Sequence, residues 1–474
     1  MRYGRAVQIP RVAGIGVGGV MALVRPPGTL QWKPSPDTRN ELKGGKVMKR
    51  GSWLRIAVGV VSLFFWLGIP VHAAEKPIVL GMPTSFFQPL CKSSKLAIEM
   101  AIEEINAQGG ILVKEEGVKR PLKLVTADTR CGEPGTPVQS ALMAVDKLIA
   151  EEKPDAIVVA PFRSEAMVAT MDLIAKYKMV TLQSIAQTPK LIEIFKGDPE
   201  KYKYWFRATT NSVYVGTAAA KTMDLARVLF KHNKLFIIAQ DTLWARAAAD
   251  AAKAKLEGFG WTTVGYEPVA VGTNDFSAIL SKARSSGAQM LYVVGDMPTL
   301  PVCFKQWKSM RIPTMLFLDF AVVTSAKAWK SYGEDLDYVM VMPFPGGTGA
   351  PVKALPKSIE FHKKWQEKKY PDMDDPRTVS SAYDAIYILK DAIERAGFVP
   401  SKDPDKFVGF LEATDLEGVS GRIKFDKSSH QQIFDGDPKE SSVIVSYQWR
   451  AGKMVPIYPE NVAEAKLELA PWVK

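Results

Sequence analysis

From residue 77 onward the chain alternates short, continuously apolar runs with longer stretches whose apolar residues recur every three or four positions. Runs such as Ala156-Ile-Val-Val-Ala160 and Met290-Leu-Tyr-Val-Val294 predict strands covered on both faces. The stretch 96–105 predicts an amphipathic helix, with Ser93 or Ser94 as its N-cap and Asn106 to Gly110 as its stop. A first series reads strand 77–81, helix 96–105, strand 122–127, helix 138–150, strand 156–160, helix 167–177 and strand 179–182. A second series begins after about residue 207, with strands 235–239, 262–266, 290–294 and 314–318 separated by helices 244–258, 276–286 and 299–310. A strand at 339–342, helices at 358–369 and 380–396, and a strand-rich end at 421–457 complete the pattern. Alternating β and α segments with short connections imply parallel sheets with helices on both faces. Two such series predict an α/β chain of two doubly wound lobes.

The most apolar segment falls outside this pattern. Residues 48–75 read MKRGSWLRIAVGVVSLFFWLGIPVHAAE. Lys49, Arg50 and Arg55 precede an apolar run of roughly 14 residues that Pro70 ends, and Val71-His72-Ala73-Ala74 supplies small residues for cleavage. That is the layout of a signal peptide spanning 48–73, cleaved after Ala73, and it is short for a stable membrane span. The other reading of the run is a single N-terminal anchor. Residues 1–47 show no sustained period, and Lys43-Gly44-Gly45-Lys46 would be encoded by a purine-rich tract of the kind that binds ribosomes. Translation is therefore expected to start at Met48, with 1–47 untranslated or disordered. Gly14-Ile-Gly-Val-Gly-Gly19 fits G-x-G-x-x-G, but Pro10 and Pro26-Pro27 leave no room for the strand and helix that dinucleotide binding requires.

Charge changes the picture only in the leader. The chain carries 62 Lys/Arg and 50 Asp/Glu, a net of +12. Residues 1–73 hold 11 basic and 2 acidic residues, which leaves 62 − 11 = 51 basic and 50 − 2 = 48 acidic residues, a net of +3. Nucleic acid is not expected as a partner on that balance. His232, His362 and His430 lie far apart and share no metal-ligand spacing with one another or with a cysteine, so no metal or cofactor is expected. No G-x-S-x-G and no G-x-x-x-x-G-K-[ST] occurs, which removes a nucleophile elbow and a nucleotide-binding loop. An enzyme is not expected.

Several stretches carry a resemblance. Ala101-Ile-Glu-Glu-Ile-Asn-Ala-Gln-Gly-Gly-Ile111, Asn274-Asp-Phe-Ser-Ala-Ile-Leu280, Ser381-Ala-Tyr-Asp-Ala385, Gly418-Val-Ser-Gly-Arg-Ile-Lys-Phe-Asp426 and Ile457-Tyr-Pro-Glu460 occur in the order found in branched-chain amino acid ABC-transporter substrate-binding proteins. The resemblance covers nearly all of the chain after the leader. It implies a type I periplasmic-binding fold: two lobes, three crossovers and a ligand held between them. The crossovers are expected near 207–212, 318–324 and 396–402. Lobe 1 is then 76–207 plus 321–398, and lobe 2 is 208–320 plus 399–474.

The resemblance also implies where the ligand sits. Ser164, after strand 156–160, resembles the family's ligand-binding serine, although an N-cap role would account for it too. Arg163 departs from the family's small residue, and would either bind an anionic ligand or pair with an acid at the rim. In the loop after strand 179–182, Ala186 and Gln187 fall at the family's contact positions, with Gln187 in place of a threonine. Trp244 stands where the family has an aromatic residue, and either stacks on the ligand or belongs to the core. Asp296 is the candidate partner of an α-amino group, with Asp319, beside Phe320, as its competitor. Phe86 and Phe87 occupy the first loop as an apolar wall. Cys131 matches a family cysteine whose usual partner position here is Arg163, so Cys91 is the expected disulfide partner, with Cys303 left as a buried thiol. The implied function is a monomeric periplasmic receptor. It captures an amino-acid-like ligand (branched-chain, aromatic, acidic or amide) and delivers it to an ABC permease and ATPase encoded as separate chains. A ligand sensor of the same fold is the alternative.

Overall fold

The computed structural model describes residues 76–473 apart from 325, 343–349 and 374–375. The leader, its cleavage site and the glycine motif at 14–19 lie outside the described residues.

The continuous apolar runs form the middle of two sheets. In chain order the strands are β1 (Ile78–Thr84), β2 (Ile111–Val113), β3 (Val118–Arg120), β4 (Leu122–Asp128), β5 (Ala156–Val159), β6 (Thr181–Gln183), β7 (Trp205–Arg207), β8 (Lys234–Gln240) and β9 (Thr262–Val269). They continue as β10 (Met290–Val294), β11 (Met315–Asp319), β12 (Met340–Val341), β13 (Asp415–Gly418), β14 (Gly421–Asp426), β15 (Gln431–Gln432), β16 (Ser446–Arg450) and β17 (Lys453–Tyr458). The first sheet is ordered β13-β14-β15-β7-β6-β5-β1-β4 and the second β17-β16-β12-β11-β10-β8-β9; β2 and β3 form a separate hairpin. The central strands of both sheets are parallel, and β5, β10 and β11 are buried at every position, as a sheet clad by helices on both faces requires. Each sheet is the spine of its own hydrophobic core.

Three helices show how local sequence sets the packing. The helix Pro89–Ala107 starts earlier than its apolar period suggests, because Pro89 occupies the first helical position, where its missing N–H is no loss. Ser94, expected as a cap, lies inside the helix and donates its hydroxyl to the Leu90 carbonyl at 2.9 Å. In the second lobe, helices Ser212–Phe230 and Leu243–Gly258 approach closely along alanines, and a Cβ at Gly216 would lie 2.1 Å from the Ala248 carbonyl oxygen.

The lobe boundaries differ from those expected. β12 pairs in parallel with β11, so the segment from 321 through β12 belongs to the second lobe, where apolar Val339–Met342 extends that core. The chain returns to the first lobe only before helix Pro356–Glu367. β15 pairs with β7, so 399–432 completes the first sheet and does not enter lobe 2; only β16 and β17 add to the second. The first crossover follows β7 as expected. The third lies between β15 and β16.

The family-like motifs at 381–385 and 418–426 touch. Asp384 is buried, and its carboxylate accepts the Val419 amide at 3.0 and 3.1 Å. A side chain at Gly418 would meet Ile423 at 2.3 Å and Asp384 at 2.8 Å, which explains the glycine. Among the described residues no helix is long and apolar enough to cross a membrane.

Candidate functional site

In the parallel part of each sheet the chain reverses direction of travel: β1 lies between β4 and β5, and β8 lies between β9 and β10. A crevice opens at the carboxyl ends of strands flanking such a reversal, and ligands of doubly wound sheets bind there. The loops leaving β1, β5 and β6 in one lobe, and β8 and β10 in the other, line a single cleft of about 620 Å³ including its mouth. Helices Ser164–Tyr177 and Leu243–Gly258 approach one another there from opposite lobes.

The first-lobe wall begins with a strained turn. Val159 and Ala160 both have left-handed backbone, with φ of 68° and 66°. A β-branched residue rarely adopts it, and such strain persists where the surroundings impose it, often at ligand sites. The turn delivers Phe162, Arg163 and Ser164 to the cleft. Arg163, not Ser164, is the N-cap residue, and its side chain caps nothing. Ser164 is buried on the first turn, and its hydroxyl makes no hydrogen bond among the described residues. The Arg163 guanidinium is 37% exposed on its side chain and lies 3.9 Å from Glu165 without a hydrogen bond. Both readings of Arg163 thus meet: it lines the cleft and has an acid at the rim.

Gln187 also lines the cleft, but its amide is engaged. Nε2 donates to the Ile185 carbonyl at 3.1 Å, and Oε1 accepts from the Thr210 hydroxyl at 3.0 Å. Its carbonyl accepts from Ser212, the first residue of helix Ser212–Phe230. The loop is thereby tied to the first crossover. Behind it Arg207 is fully buried and donates to Gln183, Gln431 and the Thr188 carbonyl, with no carboxylate among these partners. Burial without a countercharge lowers its pKa to about 9.

The second-lobe wall is built around Asp296. Gln240 Nε2 donates to one carboxylate oxygen at 2.8 Å and Trp244 Nε1 to the other at 3.1 Å. Gln240 Oε1 in turn accepts the Asp296 and Met297 amides at 2.6 and 3.0 Å. That packing needs Gly295, where a Cβ would lie 2.7 Å from Gln240 Oε1. Neutral donors therefore orient Asp296 while leaving its charge unpaired among the described residues.

The cleft thus brings together Arg163, Ser164, Gln187, Trp244 and Asp296. Ala186 is buried just behind it. Asp319 and Phe320 are buried at the end of β11, outside the lining, and Phe86 also lies outside it. Phe87 is exposed. Sequence reasoning missed the apolar walls Leu90, Phe162 and Ile185, and the polar residues Glu165, Thr242 and Thr378. Phe162, Glu165 and Ile185 adjoin Arg163, Ser164 and Ala186, which were singled out, and that is the only signal they offered.

The expected Cys91–Cys131 bridge is not formed; all three cysteines are free and buried. The two cysteines do follow neighbouring strands, since β1 pairs with β4. Each thiol is instead a hydrogen-bond acceptor, Cys91 from Thr84 at 3.4 Å and Cys131 from Thr129 at 3.2 Å. Among the described residues no group of His, Cys, Asp and Glu could hold a metal ion.

Residues 79–437 match the profile of the periplasmic binding proteins. An amino acid binding protein of Pseudomonas aeruginosa is 26% identical over 401 residues, 83% of this chain and 95% of its own length. A Leu/Ile/Val-binding protein homologue of Brucella abortus is 24% identical over 367 residues, covering 76% and 86%. Among solved structures, a putative branched-chain amino acid ABC transporter protein from Silicibacter pomeroyi superposes with a TM-score of 0.72 at 20% identity, over 84% of this chain and all of the other. The isoleucine complex of the substrate-binding protein LivJ from Streptococcus pneumoniae gives 0.62 at 19%, over 80% and 98%. These neighbours share the type I two-lobed architecture expected from the sequence. With its profile match running from β1 to beyond β15, the chain belongs to the periplasmic binding protein family.

Proposed function

We propose that this chain is the substrate-binding protein of an ABC importer, capturing a small amino acid between its lobes. One observation carries the reading: the two walls of the cleft differ in charge. The first-lobe wall offers Ser164, the Arg163 guanidinium and the open amides of a helix N-terminus, a setting for a carboxylate. The second-lobe wall offers the Asp296 carboxylate, oriented but not neutralised, a setting for an ammonium. A zwitterion bridging the walls would draw the lobes together, and the Gln187–Thr210 hydrogen bond links the ligand loop to the crossover that must flex. Relatives named as amino acid and Leu/Ile/Val-binding proteins support this ligand class. The permease and ATPase are then separate chains, the protein acts as a monomer in the periplasm, and no reaction occurs in the cleft.

Thermal unfolding of the full chain, freed of ligand by unfolding and refolding, tests this against a panel of amino acids, amides and aromatic acids. A true ligand at 100 times its Kd adds about 2.7 kcal/mol of stability. Asp296→Asn should remove the shift. A panel that moves nothing overturns the proposal. A receptor gene in place of a permease gene beside this one would turn the reading to sensing.

A further inference from the structure

The second-lobe wall holds a feature that a simple zwitterion leaves unused. Thr242 lines the cleft at the N-cap of helix Leu243–Gly258, yet its side chain does not cap the helix. It is only 8% exposed, and its hydroxyl has no hydrogen-bond partner. Buried hydroxyls are almost always bonded, so an orphan beside a ligand cleft points to a partner that arrives with the ligand. The first amides of this 16-residue helix are likewise left without a side-chain cap, and carry the positive end of the helix dipole. Asp241, one residue earlier, is paired with Arg246 and so does not oppose an anion there.

We infer that Thr242 and the N-terminus of helix Leu243–Gly258 form a second anion seat in the cleft, which selects an amino acid bearing an additional acidic group. This rests on the proposed function. The three charged groups of such a ligand match three places: the α-carboxylate at Ser164 and Arg163, the ammonium at Asp296, and the second carboxylate at Thr242. The methylenes between them lie along Phe162 and Trp244.

The experiment is a binding titration of the full chain with L-aspartate, L-glutamate and L-2-aminoadipate, against L-glutamine, L-leucine, L-isoleucine, L-valine and L-phenylalanine. At least one acidic member should bind most tightly. Thr242→Val should weaken it roughly tenfold or more, because a hydrogen bond to a charged group is lost. The preference for glutamate over glutamine should shrink with it, and Thr242→Ser should restore both. A merely structural threonine would not move that preference. Leucine-type or aromatic binding without acidic binding overturns the second seat and leaves the proposed function standing. An acidic preference untouched by Thr242→Val also overturns the seat. Failure of every amino acid overturns the proposed function itself.

Discussion

Asp384 offers the sharpest test of how this molecule is held together. The carboxyl is buried, bonded among the described residues to the Val419 amide alone, and burial pushes its pKa from 3.8 up to about 7. Lys357, on the neighbouring helix, lowers the pKa, but by less than burial raises it. Between about pH 4 and 7 the folded protein binds a proton that the unfolded chain has released, so stability falls as pH rises through that window. A shift of this size corresponds to about 4 kcal/mol once the carboxyl is fully ionised, and less than half of that already applies at pH 5. Asp384→Asn keeps an acceptor for Val419 and cannot ionise. Its stability relative to the wild type should therefore improve by about 2–3 kcal/mol between pH 5 and pH 8. Equilibrium urea unfolding followed by tryptophan fluorescence at both pH values reads this directly. Other groups titrate equally in both proteins, so they cancel in the difference. Parallel curves at the two pH values would refute the reasoning.

Two further outcomes are expected. Cys91 and Cys303 have thiols pushed up to about 12 by burial, so a thiol reagent at pH 8 should label neither in the native protein. Denaturation without reductant should expose three thiols per chain; a count of one would show that two of the three are bridged, and the peptide labelled would say which is left free. Gly216→Ala should destabilise by about 1–3 kcal/mol, because the contact with the Ala248 carbonyl outweighs alanine's helix preference of about 1 kcal/mol. A raised Tm would mean that the two helices can part without loss.

Much of the framework was legible because a strand buried on both faces leaves an unbroken apolar run. β10 spans the very residues expected of it. Ser164, Trp244 and Asp296 were legible for a related reason: the loop after such a strand is where a doubly wound sheet presents its ligand groups. The apolar walls were not. Leu90, Phe162 and Ile185 are ordinary hydrophobic residues, and no periodicity says which of them faces a cleft and which a core. Thr242 was hidden because a threonine before a helix reads as its cap; only coordinates show the hydroxyl left idle. The lobe boundaries failed where the sequence does not say which sheet a short strand joins, although 339–342 itself reads as a strand. β12 and β15 have two residues each, and their membership depends on a partner far away in sequence.

The late strands have a consequence for how the polypeptide comes together. β13 to β15 finish the first sheet and β16 to β17 the second, so both lobes wait for residues beyond 414. Neither sheet can be completed while the C-terminal segment is still in the ribosome. Contacts this distant in sequence form slowly, because a long loop must close before they reward it. During synthesis β7 and β12 therefore remain as open edges, because their late neighbours β15 and β16 have not yet been made, and an unpaired strand edge is something a holding chaperone can recognise. Both sheets are then completed together, when one short stretch of chain arrives.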